Sequence, residues 1–261
     1  MKQGDTDMAI RDRAPPRRSR SAPARANCTQ CMAREMAVCA ALSASESAEL
    51  ERLAIRRTLS PDAVLVPSGA PSQHVYSVTQ GMLRRVRVLA DGRRLVSGFS
   101  LPGDFIGLSE ALTHRDSIEA VTASQVCEFA RADIRALGHR FPKLEHKLLE
   151  RACMELDTTQ DAMLMLARLS PLERLAGFLL LMGRQLRRRS VCSGTAEAAV
   201  GGAIALPMNR HDIADHLGLT VETVSRSFTR LRQMELIALP DPQWVELQDM
   251  EELQRLASAV M

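Results

Sequence analysis

Residues 208–234 read MNRHDIADHLGLTVETVSRSFTRLRQM, and this stretch decides the fold. Ile213, Ala214 and Leu217 recur at helical spacing, and Gly218 follows where a helix ends in left-handed backbone that glycine adopts at low cost. Thr220 suits the N-cap of a second helix, because its hydroxyl accepts from a free amide of the first turn. Val221, Val224, Phe228 and Leu231 then share one apolar side. At about 100° per residue, Glu222, Ser225, Arg226 and Thr229 point the other way. A recognition helix needs this division, one side packed and the other free for the major groove. Arginine forks onto guanine O6 and N7, and glutamate accepts from the cytosine amino group. Thr220, Thr223 and Arg210 complete the candidate DNA contacts. An ordinary helical hairpin with a solvated face would carry a similar stripe, so the neighbours matter.

Downstream, Leu236–Leu239 and Trp244–Leu247 have the character of short strands around Pro240-Asp241-Pro242-Gln243, where proline and aspartate favour a turn. A hairpin after two such helices makes a winged helix, closed by a helix from about Met250 to Val260. Upstream, Ser170-Pro171 starts another helix, with proline where it costs no hydrogen bond. Residues 190–204 are rich in Gly, Ala and Ser and are expected to form a mobile loop.

Over residues 142–168, Leu149, Ala152, Leu156, Thr159, Met163 and Leu166 keep a heptad rhythm. The rhythm predicts a parallel two-helix dimer contact; a long helix lying on its own domain is the alternative. Dimerisation suits a winged helix, because such readers bind two half-sites about one DNA turn apart. Residues 58–137 instead show short alternating segments. Val75–Val78, Met82–Leu89 and Leu95–Phe99 are predicted strands, with Asp91-Gly92 a two-residue hairpin signal. Ile118–Val121 and Val126–Phe129 suggest another hairpin. Regular short strands imply an antiparallel roll. Ser43 and Glu46 form a capping box for a helix that turns Leu50, Leu53 and Ala54 inward.

The expected fold class is therefore α+β. A disordered basic tail (1–26) and a cysteine-rich segment (27–40) precede a β-roll (41–137), a dimerisation helix (138–169) and a winged helix-turn-helix domain (170–261). The length of 261 residues fits one to two domains, and 46% hydrophobic with 25% charged residues is the composition of an ordinary soluble protein. No apolar run is long enough to span a bilayer, and the Arg/Pro-rich N-terminus is no secretory signal, so the cytoplasm is expected. A net charge of +3 is too mild to indicate nucleic acid alone; the Arg187-Arg188-Arg189 cluster and the recognition helix matter more. Aromatics at 3% argue against base-stacking on single strands.

Cysteines stand at 28, 31, 39, 127, 153 and 192. Cys28, Cys31 and Cys39 lie in a short polar segment without core periodicity, which in a cytoplasmic protein suggests metal or redox chemistry. Three thiolates leave a four-coordinate site one ligand short, and Cys127 is the best candidate for the fourth. The same ligands serve an iron–sulfur cluster, zinc or a thiol switch. Cys153 is expected to be structural, and Cys192 an unused surface thiol or a secondary sensor. His211 and His216 are expected at phosphates or in solvent. Neither a Ser/His/Asp set nor a phosphate loop is present, so no enzyme is expected.

The pieces in this order resemble the family of the cyclic AMP receptor protein and the FNR regulator, over roughly residues 28–260. The resemblance rests on Leu101-Pro-Gly-Asp-Phe-Ile-Gly107 and Leu217-Gly-Leu-Thr-Val-Glu-Thr-Val-Ser-Arg226, the second close to the FNR branch. It implies a jelly roll like that of cyclic-nucleotide-binding domains and contact with RNA polymerase. Glu222, Ser225 and Arg226 would be the base-reading trio for a TTGAT…ATCAA palindrome on double-stranded DNA. It also implies a [4Fe-4S] cluster on Cys28, Cys31, Cys39 and Cys127 that responds to oxygen by favouring or releasing the homodimer. A FixK-like regulator without a cluster and a zinc-stabilised one stay open as alternatives. Where the cyclic-AMP branch carries its phosphate-binding arginine, this sequence has Asp116, whose carboxylate would repel a phosphate. A module that binds a ligand to control a protein partner has no need of the Glu-x-x-Ser-Arg stripe.

Overall fold

The alternating stretch folds into two facing antiparallel sheets. In a computed structural model, the described residues are 24–25, 28, 31–109, 111–193 and 203–257. In chain order they form β1 (Ala24–Arg25), α1 (Ala44–Leu53), β2 (Ile55–Leu59), β3 (Val64–Val66), β4 (His74–Gln80), β5 (Leu83–Val88) and β6 (Arg94–Ser100). Then come β7 (Phe105–Ile106), β8 (Ser117–Ala120), β9 (Ser124–Ala130), α2 (Arg131–Arg140) and α3 (Pro142–Arg168). The last elements are α4 (Pro171–Ser193), β10 (Ala203–Ala205), α5 (Arg210–Leu217), α6 (Val221–Gln233), β11 (Ile237–Asp241), β12 (Trp244–Leu247) and α7 (Met250–Leu256).

The roll has a sheet of order β1-β2-β9-β4-β7 facing one of order β3-β8-β5-β6. Strand alternation sorts the side chains. Val126 and Val78 are fully buried in the cluster that includes Leu59, Leu83 and Ile118. Their neighbours Cys127 and Val75 belong to a second cluster with Val38, Leu50, Phe129 and Leu144. That second cluster is roofed by α1, α2, the start of α3 and a 3-10 turn at Val38–Ala41. The Ser43–Glu46 capping box is present, the Ser43 amide donating to Glu46 at 2.7 Å.

Six expectations are corrected. Ala24 and Arg25, placed in the disordered tail, pair with β2; the rest of the expected tail lies outside the described residues except for 24–25. The loop at Asp91-Gly92 has three residues, not two. Leu89 bonds Arg93 across it, and Gly92 takes φ 82° as the left-handed residue such a loop requires. β8 and β9 are not a hairpin but lie in opposite sheets, because the link through Thr122 is tied to the Met82 backbone amide and crosses the end of the roll. Residues 203 and 204, placed in the mobile loop, belong to β10, and α4 runs on to Ser193; residues 194–202 lie outside the described part. β11 continues through Pro240 to Asp241, which leaves Pro242-Gln243 as the turn. The boundary expected at 137 also falls inside α2.

The C-terminal unit is a three-stranded sheet, order β10-β12-β11, packed on α4 to α7. Leu175, Leu179, Ile213 and Leu231 are fully buried there, each worth about 1.5–3 kcal/mol relative to exposure. Met82 and Leu101 from the roll join the same cluster, so the reading head is packed directly against the sensor domain. Among the described residues, no helix is long and apolar enough to cross a membrane.

Candidate DNA-reading face and cysteine cavity

The two helices of the opening stretch are built as their residues dictate. Asn209 caps α5 by accepting from the Asp212 amide at 2.8 Å, and Gly218 ends it at φ 63°, ψ 39°. Thr220 caps α6 by accepting from the Thr223 amide at 3.2 Å. Val224, Phe228 and Leu231 are buried, whereas Glu222, Ser225, Arg226 and Thr229 are exposed along the opposite side. The Glu222 carboxyl is held below its ordinary range by the helix-end amide of its own residue and by the Thr220 hydroxyl. It therefore stays an ionised acceptor, as a cytosine contact requires. Thr220 and Thr223 serve mainly the cap, their hydroxyls 3.0 Å apart. Arg210 is drawn aside: its guanidinium carbon lies 3.4 Å from the centre of the Phe228 ring. Arg187 lies against Met250. The side chains of Arg188, Arg189 and Cys192 lie outside the described residues.

His216 corrects an expectation. It neither faces phosphates nor stands free in solvent but is half-buried, with its ring 5.3 Å from that of Phe99 and 5.6 Å from that of Phe178. His211 is exposed. Around His216 runs an ion network the sequence did not announce. Arg84 reaches Asp62, Glu119 and the buried Asp212 at 2.9–3.1 Å. Arg94 reaches Asp212 at 2.9 Å and also Asp215. Arg174 is a second missed residue. Its guanidinium donates to the carbonyls of Leu166 and Leu169 at the end of α3 and of Leu217 at the end of α5. One cation thus neutralises two helix C-termini.

All six predicted seam residues, Leu149, Ala152, Leu156, Thr159, Met163 and Leu166, are exposed on α3, Leu149 by 62% and Met163 by 66%. Cys153 is exposed beside them.

The cysteines predicted to act together are brought together. Cys28, Cys31, Cys39 and Cys127 line one cavity of about 250 Å³, with Arg34 and Arg56 in its wall. Strand alternation aims Cys127 out of the roll toward the segment, while Val126 points in. Burial and the neighbouring sulfurs push Cys39 up to about 11 and Cys127 to about 12; Cys28 is raised for the same first reason, with Glu51 adding to it. Among the described residues, no three His, Cys, Asp or Glu side chains are grouped to hold a single metal ion. The four thiols stand around a space rather than at a point. Soft donors, one for each of four irons, and two guanidiniums for the negative charge fit an iron–sulfur cluster.

In the roll, Asp116 accepts from Arg87 Nε and from the Ser97 hydroxyl, both at 2.7 Å. The position suited to a phosphate-binding cation is thus filled by an internal ion pair.

A Crp-like helix-turn-helix domain is matched over residues 173–256 and a cyclic nucleotide-binding domain over 56–140. The chain is 38% identical over 212 residues to a nitrogen fixation regulation protein FixK of Bradyrhizobium diazoefficiens, covering 81% of this chain and 86% of that protein. The chain belongs to the CRP/FNR family, FixK-like branch. It is 36% identical over 231 residues to the transcriptional activatory protein AadR of Rhodopseudomonas palustris, covering 88% and 93%. The structure of FixK2 from Bradyrhizobium japonicum superposes with a TM-score of 0.70 at 33% identity, covering 78% of this chain and 96% of that one. This CRP/FNR regulator is a DNA-binding transcription regulator, and its relatives are regulators rather than enzymes.

Proposed function

We propose that this CRP/FNR regulator activates transcription as a homodimer on a TTGAT-N4-ATCAA-like palindrome in response to oxygen, through a [4Fe-4S] cluster. The observation that carries the sensing part is the meeting of four cysteines from two distant parts of the chain around one cavity. When bound, such a cluster supplies iron–sulfur bonds to four thiolates and is dismantled by oxygen. Cys28, Cys31 and Cys39 would hold it from the segment and Cys127 from β9, so binding would tether the segment to the sheet beyond the packing of Val38. Donors arranged around a space suit one thiolate per iron better than a single zinc ion.

The exposed stripe Leu149 to Leu166 buries itself against the same stripe of a second copy. Pairing sets two α6 helices on one side of the dimer, and contacts from both half-sites add. Glu222, Ser225 and Arg226 read bases, and the exposed cations of α6 hold phosphates. RNA polymerase is the partner at the promoter. The cysteine segment can shift the monomer–dimer balance only as far as it binds differently in the two states.

Protein reconstituted with iron and sulfide without oxygen should be brown, with about four of each per chain. One zinc per chain and no colour would replace the cluster by a structural ion. A metal-free protein that binds its operator fully would leave a regulator whose cysteines do not sense.

A further inference from the structure

The cysteine segment packs on the start of α3 through Val38 and Cys39, beside Leu144 and Leu148, and reaches further along that helix through Arg151. Arg151, on α3, donates through one terminal nitrogen to the Met36 carbonyl, and its other terminal nitrogen lies 3.9 Å from the Asp104 carboxylate. Met36 sits between Cys31 and Cys39 and is wedged against Gly103, where a Cβ would come within 2.6 Å of its own Cβ. The Nε of Arg151 is buried and has no hydrogen-bond partner among the described residues. The Met36 carbonyl thus accepts a hydrogen bond from a part-buried guanidinium whose charge faces the Asp104 carboxylate, and withdrawing the carbonyl leaves that donor to be satisfied again. One turn further along α3, Glu155 pairs with Arg85 of β5.

Arg151 is not in the dimer seam. It stands roughly 100° around the helix from the centre of the Leu149–Leu166 stripe. An anchor on the flank sets the helix's rotation about its own axis, and that rotation decides whether Leu149, Leu156 and Met163 face a second copy.

We propose that Arg151 is the positioning residue that couples the cysteine segment to dimerisation: with the segment pinned, the Met36 carbonyl holds Arg151 and α3 in the pairing orientation. This rests on the cluster reading above. With the segment released, the carbonyl leaves, and the guanidinium must find another partner or water, which frees α3 to turn. The charge and the fork of the guanidinium both matter, because a carbonyl and a carboxylate are engaged by different nitrogens.

The test is sedimentation of the full chain, metal-free and reconstituted with iron and sulfide under argon, with cluster content read from absorbance and iron analysis. In the wild type the dimer dissociation constant should differ between the two forms by about 5- to 150-fold, the usual range of such coupling. Arg151→Met should load the same cluster per chain yet bring the two constants within about threefold of each other. Arg151→Lys, which keeps the charge and loses the fork, should retain part of the ratio. A full wild-type ratio in either variant overturns the proposal. So does an equal weakening of both forms, which is a merely structural role, or a loss of cluster from Arg151→Met. Wild-type protein that takes up no iron overturns the cluster reading itself, and this proposal with it.

Discussion

His216, in the first helix of the reading pair, holds its Nδ1 3.0 Å from the carbonyl oxygen of Val96 in the roll. The two residues are 120 apart in sequence, and their contact joins the sensor domain to the DNA-reading head. Phe99 and Phe178 enclose the ring from the roll and from α4. Desolvation pushes the imidazole pKa down, the Val96 carbonyl pulls it back, and Arg85 pushes it further down. The other charges nearby are Asp212 and Asp215 on its own helix and Arg94, which pairs with both.

A pH dependence follows from that direction. The folded-state pKa is below the unfolded one, so the unfolded chain binds the proton more readily. The contact's stability is whole above about pH 6.5, the ordinary histidine value, and is lost as pH falls through the depressed folded value. Melting curves from pH 7.5 to 5.5 should show wild type losing more stability than His216→Gln. Parallel curves would show that His216 takes up its proton equally in the folded and unfolded chain, so that the contact does not depress its pKa.

Asp212 is almost wholly buried and shared by Arg84 and Arg94. Removing one partner of a buried pair leaves an uncompensated charge. Asp212→Ala should therefore cost about 3–5 kcal/mol in urea unfolding. Because Asp212→Ala already breaks the Arg84–Asp212 pair, adding Arg84→Met should cost much less than a second such increment. Full additivity would mean the two residues do not interact.

Leu156 is 57% exposed at the middle of the α3 stripe. Leu156→Asp places a charge in both copies of the seam and should raise the dimer dissociation constant by at least about a hundredfold. Sedimentation across a concentration series reads this directly. An unchanged constant would assign dimerisation to another surface.

Arg226 is exposed on the reading side of α6, its Nε turned to the Glu222 carbonyl at 3.4 Å. Arg226→Ala should cost about 1–3 kcal/mol at one base position of the half-site, measured by titrating a panel of single-base operator variants. A uniform loss across the panel would make it a phosphate contact.

Much of this protein could be read from local pattern. Gly218, the Thr220 cap and the Val224–Phe228–Leu231 stripe specified the reading pair, because helix ends and faces depend on residues within a few positions of one another. The heptad stripe of α3 and the Ser43–Glu46 box were legible for the same reason. Pairings across the chain were not. Strands β8 and β9 have hairpin spacing, yet each finds its partners in a different sheet, since strand spacing alone does not say which edges meet. His216 had the sequence signature of a surface residue of α5, and only the packing of α5 on β6 enclosed it.

The sequence by itself determined most of the helices, their caps, the apolar faces and the cysteine spacing, since these are set by backbone propensity and periodicity over a turn or two; α2, in the stretch read as β-roll, was not among them. Tertiary structure alone decided which distant charges meet: Asp212 with Arg84 and Arg94, Arg174 with two helix ends, Arg151 with the Met36 carbonyl. The physical reason is that an arginine reaches any carboxylate or carbonyl the fold brings near, and nothing in its local sequence names which one.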